Sequence, residues 1–395
     1  MRHPCLASAN TGLRFAVLIA LVLSYDSVAA QAGRHLPDLA FSNITDVLGN
    51  VDGGLKRGFR VLEKADITAS YVGDDHGIAG FSIFAGAQVT DATSFSGTLV
   101  GDAQGVSNID GPAGLRLVNA WVAQDFGGRG GIKAGVIDLN TEFDVQTTGL
   151  LFLNPSFGIG PDFSQSGGNG PAIFPTTGLG LMGWWMPGGH WQLKAGIFEG
   201  TPGDPAHPGR TSFAVTKDEG ALLVAEARNQ LTPNFAVGVG AWRYTASFEA
   251  IDPSRGLLSG NSGFYAIADG LLYAAPAGEN TGLSGWLRVG MADARINPVA
   301  SAIGGGFVYT GPFGRMVDQA GVAFSRVQFG RPARQAALAS GSTLGPAETT
   351  FEASYSFNIN SHLSVQPDLQ YVISPSGDPA LGNVLVVGSR LIATW

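Results

Sequence analysis

Between Ser361 and Ile373 the chain alternates strictly. Leu363, Val365, Pro367, Leu369, Tyr371 and Ile373 share one parity; His362, Ser364, Gln366, Asp368 and Gln370 share the other. In an extended strand successive side chains point to opposite faces, so this segment predicts a ribbon with one oily and one hydrogen-bonding side. Thr349 to Ile359 repeats the pattern, with Phe351, Ala353, Tyr355, Phe357 and Ile359 against Thr350, Glu352, Ser354, Ser356 and Asn358. His190 to Phe198 does so again, setting Trp191, Leu193, Ala195 and Ile197 against His190, Gln192, Lys194 and Gly196.

Past Ala65 the chain is a series of such segments, separated by Gly, Pro, Asn, Asp or Ser clusters. About sixteen strands are expected, starting near Asp66, Phe81, Ser96, Arg116, Ile132, Gly178, His190, Ala221, Phe235, Gly263, Gly282, Ile303, Asp318, Thr349, Ser361 and Val384. No stretch beyond residue 30 approaches the ~20 apolar residues that a spanning helix needs. If the chain crosses a membrane it must do so as a closed barrel, since open sheet edges cannot face lipid. The fold class expected is therefore all-β: a transmembrane antiparallel β-barrel of about sixteen strands, wide enough to hold water.

Composition agrees. Only 14% of residues are charged, while 58 glycines and 10% aromatics are high for a soluble protein. The net charge of −8 and the five lysines are spread without a basic block, so nucleic acid is not an expected partner. Arg2 and Arg14 precede the apolar run from Phe15 to Leu23, and Val28, Ala29 and Ala30 follow it. This predicts a signal peptide over 1–30. Cys5 leaves with it, and neither a disulfide nor a thiolate nucleophile is then expected.

Residues 31–64, containing GGLKRG at Gly53 to Gly58, lack a clear period and read as a leader at the periplasmic end or in the lumen; the barrel is assigned to 65–395. The long stretch from Asp138 to Pro175, rich in Gly, Pro, Phe and Asn, predicts a packed loop folded inward as a constriction. The chain ends on Val384 to Trp395, where Leu385, Val387, Leu391, Ala393 and Trp395 face one way and Arg390 the other.

Three stretches carry a resemblance. They are GVIDLNTEF at Gly135 to Phe143, FLNPSFGIGPDFSQSGGNGPAIFPTTGLG at Phe152 to Gly180, and SYSFNINSHLSVQPDLQYVISP at Ser354 to Pro375 with GSR at Gly388 to Arg390. GAWRYT at Gly240 to Thr245 and LKAGIFEGTPGDP at Leu193 to Pro205 add to them. Over about Gly53 to Trp395 the chain resembles the carbohydrate-selective outer-membrane porins of the OprB type. The resemblance implies a sixteen-stranded barrel in the outer membrane of a Gram-negative bacterium, admitting small sugars by passive diffusion through a constricted polar pore. It also implies an acidic residue near the position of Asn119, where this chain departs from the pattern. A terminal strand ending in Trp395 resembles the signal read by the barrel assembly machinery, an expected partner beside sugars and outer-membrane lipids. General non-selective diffusion and a structural or adhesive barrel are the alternative functions.

A passage for neutral sugars needs charged or amide groups for hydroxyls and aromatic rings for CH faces. Inward parity nominates Asp66, Trp121, Lys194, Glu226, Trp242, Asp269, Trp286, Arg288, Glu352, Asp368 and Arg390 as pore-lining. Trp286 and Arg288 lie about 7 Å apart on one face, close enough for one sugar to touch both. In the inward loop Asp138, Glu142, Asn154 and Phe157 fall on family-like positions, and Asp138 and Glu142 read equally as pins that hold the loop through basic partners. One of Trp184 and Trp185 must face lipid. Pro367 cannot donate a ladder bond, so a bulge or a lost bond is expected there.

Other signals are set aside. Gly178, Gly180 and Gly183 spell G-x-G-x-x-G inside a strand pattern rather than between a strand and a helix. The six histidines show no metal-ligand spacing, and no nucleophile is singled out beside His362 and Ser364. No enzymatic activity, cofactor or metal is expected.

Overall fold

The computed structural model describes residues 37–91, 94–213, 216, 218–276 and 281–395. The expected signal peptide over 1–30 and residues 31–36 lie outside them. The strands are β1 (Asp38–Asp52), β2 (Gly58–Val72), β3 (Phe81–Thr90), β4 (Gly114–Asp125), β5 (Gly130–Ile137), β6 (Gly178–Gly188), β7 (Trp191–Glu199) and β8 (Ala221–Thr232). They continue as β9 (Phe235–Glu249), β10 (Leu257–Ala274), β11 (Gly282–Ala292), β12 (Val299–Thr310), β13 (Gln319–Phe329), β14 (Ala347–Asn360), β15 (Leu363–Ile373) and β16 (Val384–Thr394). Each pairs antiparallel with its sequence neighbours, and β1 pairs with β16 to close a barrel of sixteen strands. Closure leaves no open edge, the condition for standing in lipid. No helix of the described residues is long and apolar enough to cross a membrane.

The alternation sorts as its period demands. Along β15, Gln366, Asp368 and Gln370 are buried in the interior while Leu369 and Tyr371 are exposed on the outer wall. Trp185 is 57% exposed on that wall, whereas Trp184 packs against the interior core. At the terminus-bearing end, Phe41 and Trp395 exchange both backbone hydrogen bonds at 2.9 Å, and their rings lie 5.5 Å apart. The turns at this end are short: two residues join β6 to β7, β8 to β9 and β14 to β15. The opposite end carries the long connections, including the one between β5 and β6. In outer-membrane barrels the long loops are extracellular and the short turns periplasmic.

Two expectations fail, and they offset each other in the strand count. Asp38–Asp52 is a full strand, and β2 begins at Gly58 rather than near Asp66, so most of the supposed leader is barrel wall. Its period is obscured because both faces are mixed: Asp46, Leu48 and Asn50 face inward, and Leu48 and Leu62 join an interior apolar cluster. Ser96 to Asp102 is not a strand. Ser96–Val100 forms a helical turn that buries Leu99 and Val100 beneath the β3–β4 connection. GGLKRG is the tight β1–β2 hairpin at the long-loop end.

Pro367 shows the lost bond without a bulge. Ser354 pairs with Asp368 and Phe357 with Val365 in one register, and the ladder is simply empty between them, opposite Pro367. On its other side Pro367 stays in register with Ser389.

Candidate functional site

The connection from Asp138 to Thr177 runs inside the barrel. Its Phe143, Phe152, Phe157 and Phe163 are almost wholly buried, each burial worth about 1.5–3 kcal/mol. Phe163 stacks on Trp242 with centroids 5.0 Å apart, and Phe157 meets Trp286 edge-on at 5.7 Å. Both tryptophans are therefore floor for the loop, with 2% and 5% exposure, and present no open face to a sugar.

Wall carboxylates hold the loop's backbone. Glu226 accepts from the Asp144 N–H at 2.9 Å and from the Tyr265 hydroxyl at 2.7 Å. Asp269 accepts from the Thr147 N–H at 2.5 Å and the Thr148 N–H at 3.2 Å. Glu352 accepts from the N–H groups of Leu153 at 2.6 Å and Asn154 at 3.0 Å. Gln366 donates to the Leu151 carbonyl at 2.5 Å. A long irregular loop has backbone donors that no helix or sheet satisfies, and buried ones must find acceptors. Here inward side chains of β8, β10, β14 and β15 supply the partners.

Charge also runs the other way. Arg288 of β11 is buried with 2% side-chain exposure, and its guanidinium is shared by two loop carboxylates. It donates to Asp144 at 3.1 and 2.8 Å, and to both oxygens of Asp162. The pairing of Arg288 with Trp286 as one sugar contact is thus overturned: the cation is consumed by the loop and the ring is covered by Phe157.

The β3–β4 connection is held in the same manner. Glu348 accepts from the N–H groups of Ala103 at 2.7 Å and Gln104 at 3.1 Å. Arg390 donates to Asp46 at 2.7 and 2.8 Å and to Asn108 at 2.8 Å, while the Ser107 hydroxyl donates to Asp46 at 2.6 Å. Asp368 takes the Ser354 hydroxyl and, at 3.0 Å, the Gln370 amide. Asn154 caps a turn by accepting from the Ser156 N–H at 2.9 Å. Asp102 lies in this connection with both carboxylate oxygens buried. Burial, and then the nearby Glu348 carboxylate, push its carboxyl up to about 7.

The opposite flank is different. Glu142, just inside the loop, is bound by Lys133 of β5 and faces Lys194 of β7 at 3.8 Å, and Lys194 also donates to the Glu142 carbonyl at 2.9 Å. All three side chains keep 15–17% exposure. The Lys133 ammonium lies 4.1 Å from the Trp121 ring centre, and Trp121 stacks on Phe84 at 5.4 Å. Lys64 and Asp66, 3.2 Å apart, retain 20% and 17% exposure, and Gln88 donates to Asp66 at 2.7 Å. Asp138 caps its turn by accepting from the Asn140 N–H at 2.9 Å. The Asp138 N–H in turn donates to Asn119 at 3.2 Å, so the residue at the departing position holds the loop's root.

Two recesses flank the inward loop. One of 340 Å³ lies toward the long-loop end and includes Asn108, Asp110, Asp138, Asn140, Phe152 and Asn154 in its lining. The other, of 670 Å³, opens toward the terminus-bearing end beside Thr147, Thr148, Gln192, Arg228 and Asp269. The segment from Asp138 to Leu150 contributes to both, and so divides them.

Sequence reading missed Asp46, Lys64, Lys133, Asp144, Asp162, Arg228 and Glu348. Lys133 was within reach, since it lies two residues inward of Gly135 on a strand of the right parity. The loop aspartates were not, because irregular backbone carries no period. Among the described residues no group of three or more His, Cys, Asp or Glu is placed to hold a metal ion.

Comparisons agree with this architecture. Residues 68–394 match the model of the carbohydrate-selective porin, OprB family. Pseudomonas putida OprB in its high-pH structure is 21% identical with a TM-score of 0.82, over 91% of this chain and 94% of that one. The outer membrane channel DcaP of Acinetobacter baumannii is 10% identical with a TM-score of 0.55, over 91% of this chain and 97% of that one. No curated protein matches significantly in sequence. A sixteen-stranded barrel matched over most of its length by that family model is a sugar-selective outer-membrane porin, and the chain belongs to the carbohydrate-selective porins of the OprB family.

Proposed function

We propose that sugars cross this barrel passively along the flank of β2–β7, between the wall and the inward loop, and that the loop narrows the pore there. The observation that carries this reading is the partition of the lumenal polar groups. On β8, β10, β11 and β14 Glu226, Asp269, Arg288 and Glu352 are committed to the loop, whereas Lys64, Asp66, Lys133, Glu142 and Lys194 stay partly exposed. Beside them the Phe84–Trp121 pair offers an apolar surface for CH faces, and Asp138 and Asn140 continue the polar lining toward the long-loop end.

The chemistry needed is modest. Ammonium and carboxylate groups 3–4 Å apart exchange hydrogen bonds with passing hydroxyls, and the ring pair resists twisting of the sugar plane. Binding stays weak because these groups keep partners of their own, and a weak site releases what it admits. The gradient supplies direction, and no covalent step is involved. The host is a Gram-negative bacterium, and Trp395 is the residue through which the barrel assembly machinery engages the terminal strand. Sugar block of single-channel current tests the route: Trp121→Ala should weaken glucose block about fivefold, of the order of 1 kcal/mol. Unchanged block in that variant would move the route away from this flank.

A further inference from the structure

The outer wall carries two features that sugar passage does not use. Arg243 of β9 and Arg326 of β13 sit at outward parity and are exposed. Among the described residues neither forms an ion pair. Arg326 donates to the Thr349 hydroxyl at 2.8 Å. Arg243 lies over a glycine bulge: Gly260 takes φ +77°, and a Cβ there would come within 2.9 Å of the guanidinium Nη2. A cation on a lipid-facing wall is costly unless it reaches the interface and meets an anion there.

Their height suits the interface. Arg326 is three residues from the end of β13, and Arg243 pairs with Leu223, two residues from the end of β8. At about 3.3 Å per residue Arg326 stands roughly 10 Å below the long-loop end of its strand, and on β9 the outward residues below Arg243 are apolar, Val239 and Ala241, while those above it are polar, Thr245, Ser247 and Glu249. Between them runs one cross-strand row, Gln328, Ser301, Met291 and Phe264, ending at Ala241 directly below Arg243. Just beneath it Val289 and Ile303 complete an outward groove of 240 Å³ whose rim includes Arg326. The basic character continues upward: the helix α1 (Arg331–Ala339), which follows β13, exposes Arg331 and Arg334.

We infer that this groove is a lipid site, taking an acyl chain against Phe264, Met291 and Ile303, with one phosphate of its headgroup against Arg326 on the rim and a second against Arg243, four strands away. Cations extending from the wall to the loop helix fit a headgroup taller than one phosphate, and the long-loop end faces the outer leaflet. The occupant is therefore a phosphorylated glycolipid of that leaflet. The partners are a phosphate monoester and guanidinium groups, which bind in forked geometry.

The test is native mass spectrometry of the purified barrel in neutral detergent, titrated with the bisphosphorylated acylated disaccharide of lipopolysaccharide, its dephosphorylated form, and phosphatidylglycerol. The bisphosphorylated form should bind at least tenfold more tightly than the other two. The double variant R243Q/R326Q should lose that preference, while R243K/R326K keeps the preference with binding weakened severalfold, since an ammonium cannot make the forked contact, and glucose block stays the same in both. Equal retention of the phosphorylated and dephosphorylated forms, or unchanged binding by R243Q/R326Q, would overturn the site. Phosphatidylglycerol binding as tightly as the glycolipid would overturn its assigned occupant.

Discussion

The two flanks of the lumen are built from the same strand grammar and do different work. On β8, β10, β11 and β14, Glu226, Asp269, Arg288 and Glu352 are buried and each is spent on the loop. On β2–β7, Lys64, Asp66, Lys133 and Lys194 have partners yet keep 15–20% exposure. The difference teaches that inward parity marks a residue as lumenal without saying whether it meets solute. What decides is whether a loop backbone lies close enough to claim its hydrogen-bonding capacity.

The comparison breaks most severely if Arg288 is not an anchor. Arg288→Ala leaves Asp144 and Asp162 buried without their cation, and removal of one partner from such a network costs about 3–5 kcal/mol. The expected result is a lower melting temperature together with larger single-channel conductance as the loop loosens; wild-type conductance and stability would refute the anchoring role. Glu352→Ala strands two buried N–H groups, at about 2–4 kcal/mol, and should raise hydrogen exchange at Leu153 and Asn154 before it changes sugar preference. Lys194→Met should do the reverse, altering glucose block about fivefold with little change in melting temperature.

The smallest effect concerns Asp102. Its carboxyl is raised by burial from 3.8 to about 7, so the folded chain keeps a proton that the unfolded chain has released. The folded state then binds more protons between those values, and stability falls as pH rises from about 4 to 7. Hydrogen exchange at Ala103 and Gln104, corrected for intrinsic rate, should be severalfold faster at pH 8 than at pH 5. Asp102→Asn should flatten that dependence, and a persisting slope would assign it to another group.

Much of the barrel was legible. Strands begin at the expected residue at Phe81, Gly178, Ala221, Phe235, Gly282 and Val384, because period two over ten residues survives local noise. Strand β1 escaped because its inward face mixes Asp46 with Leu48, an apolar side chain that packs beneath a loop rather than against lipid. The helical turn at Ser96–Val100 mimicked a strand because five residues are too few to separate the two periods. Glu142 was legible as either a loop pin or a sugar contact; its pairing with Lys133 and Lys194 pins the loop, and its partial exposure supports the proposed sugar contact.

By itself the sequence determined that the chain is a β-protein with an oily outside and a polar inside, since alternation and composition are local and additive along the chain. It also determined the family, through ordered motifs around the inward loop and the last two strands. Only the tertiary structure decided which inward polar groups remain for solute. Hydrogen bonds from the loop to the wall join residues as far apart as Leu153 and Glu352, and no local pattern records a partner two hundred positions away.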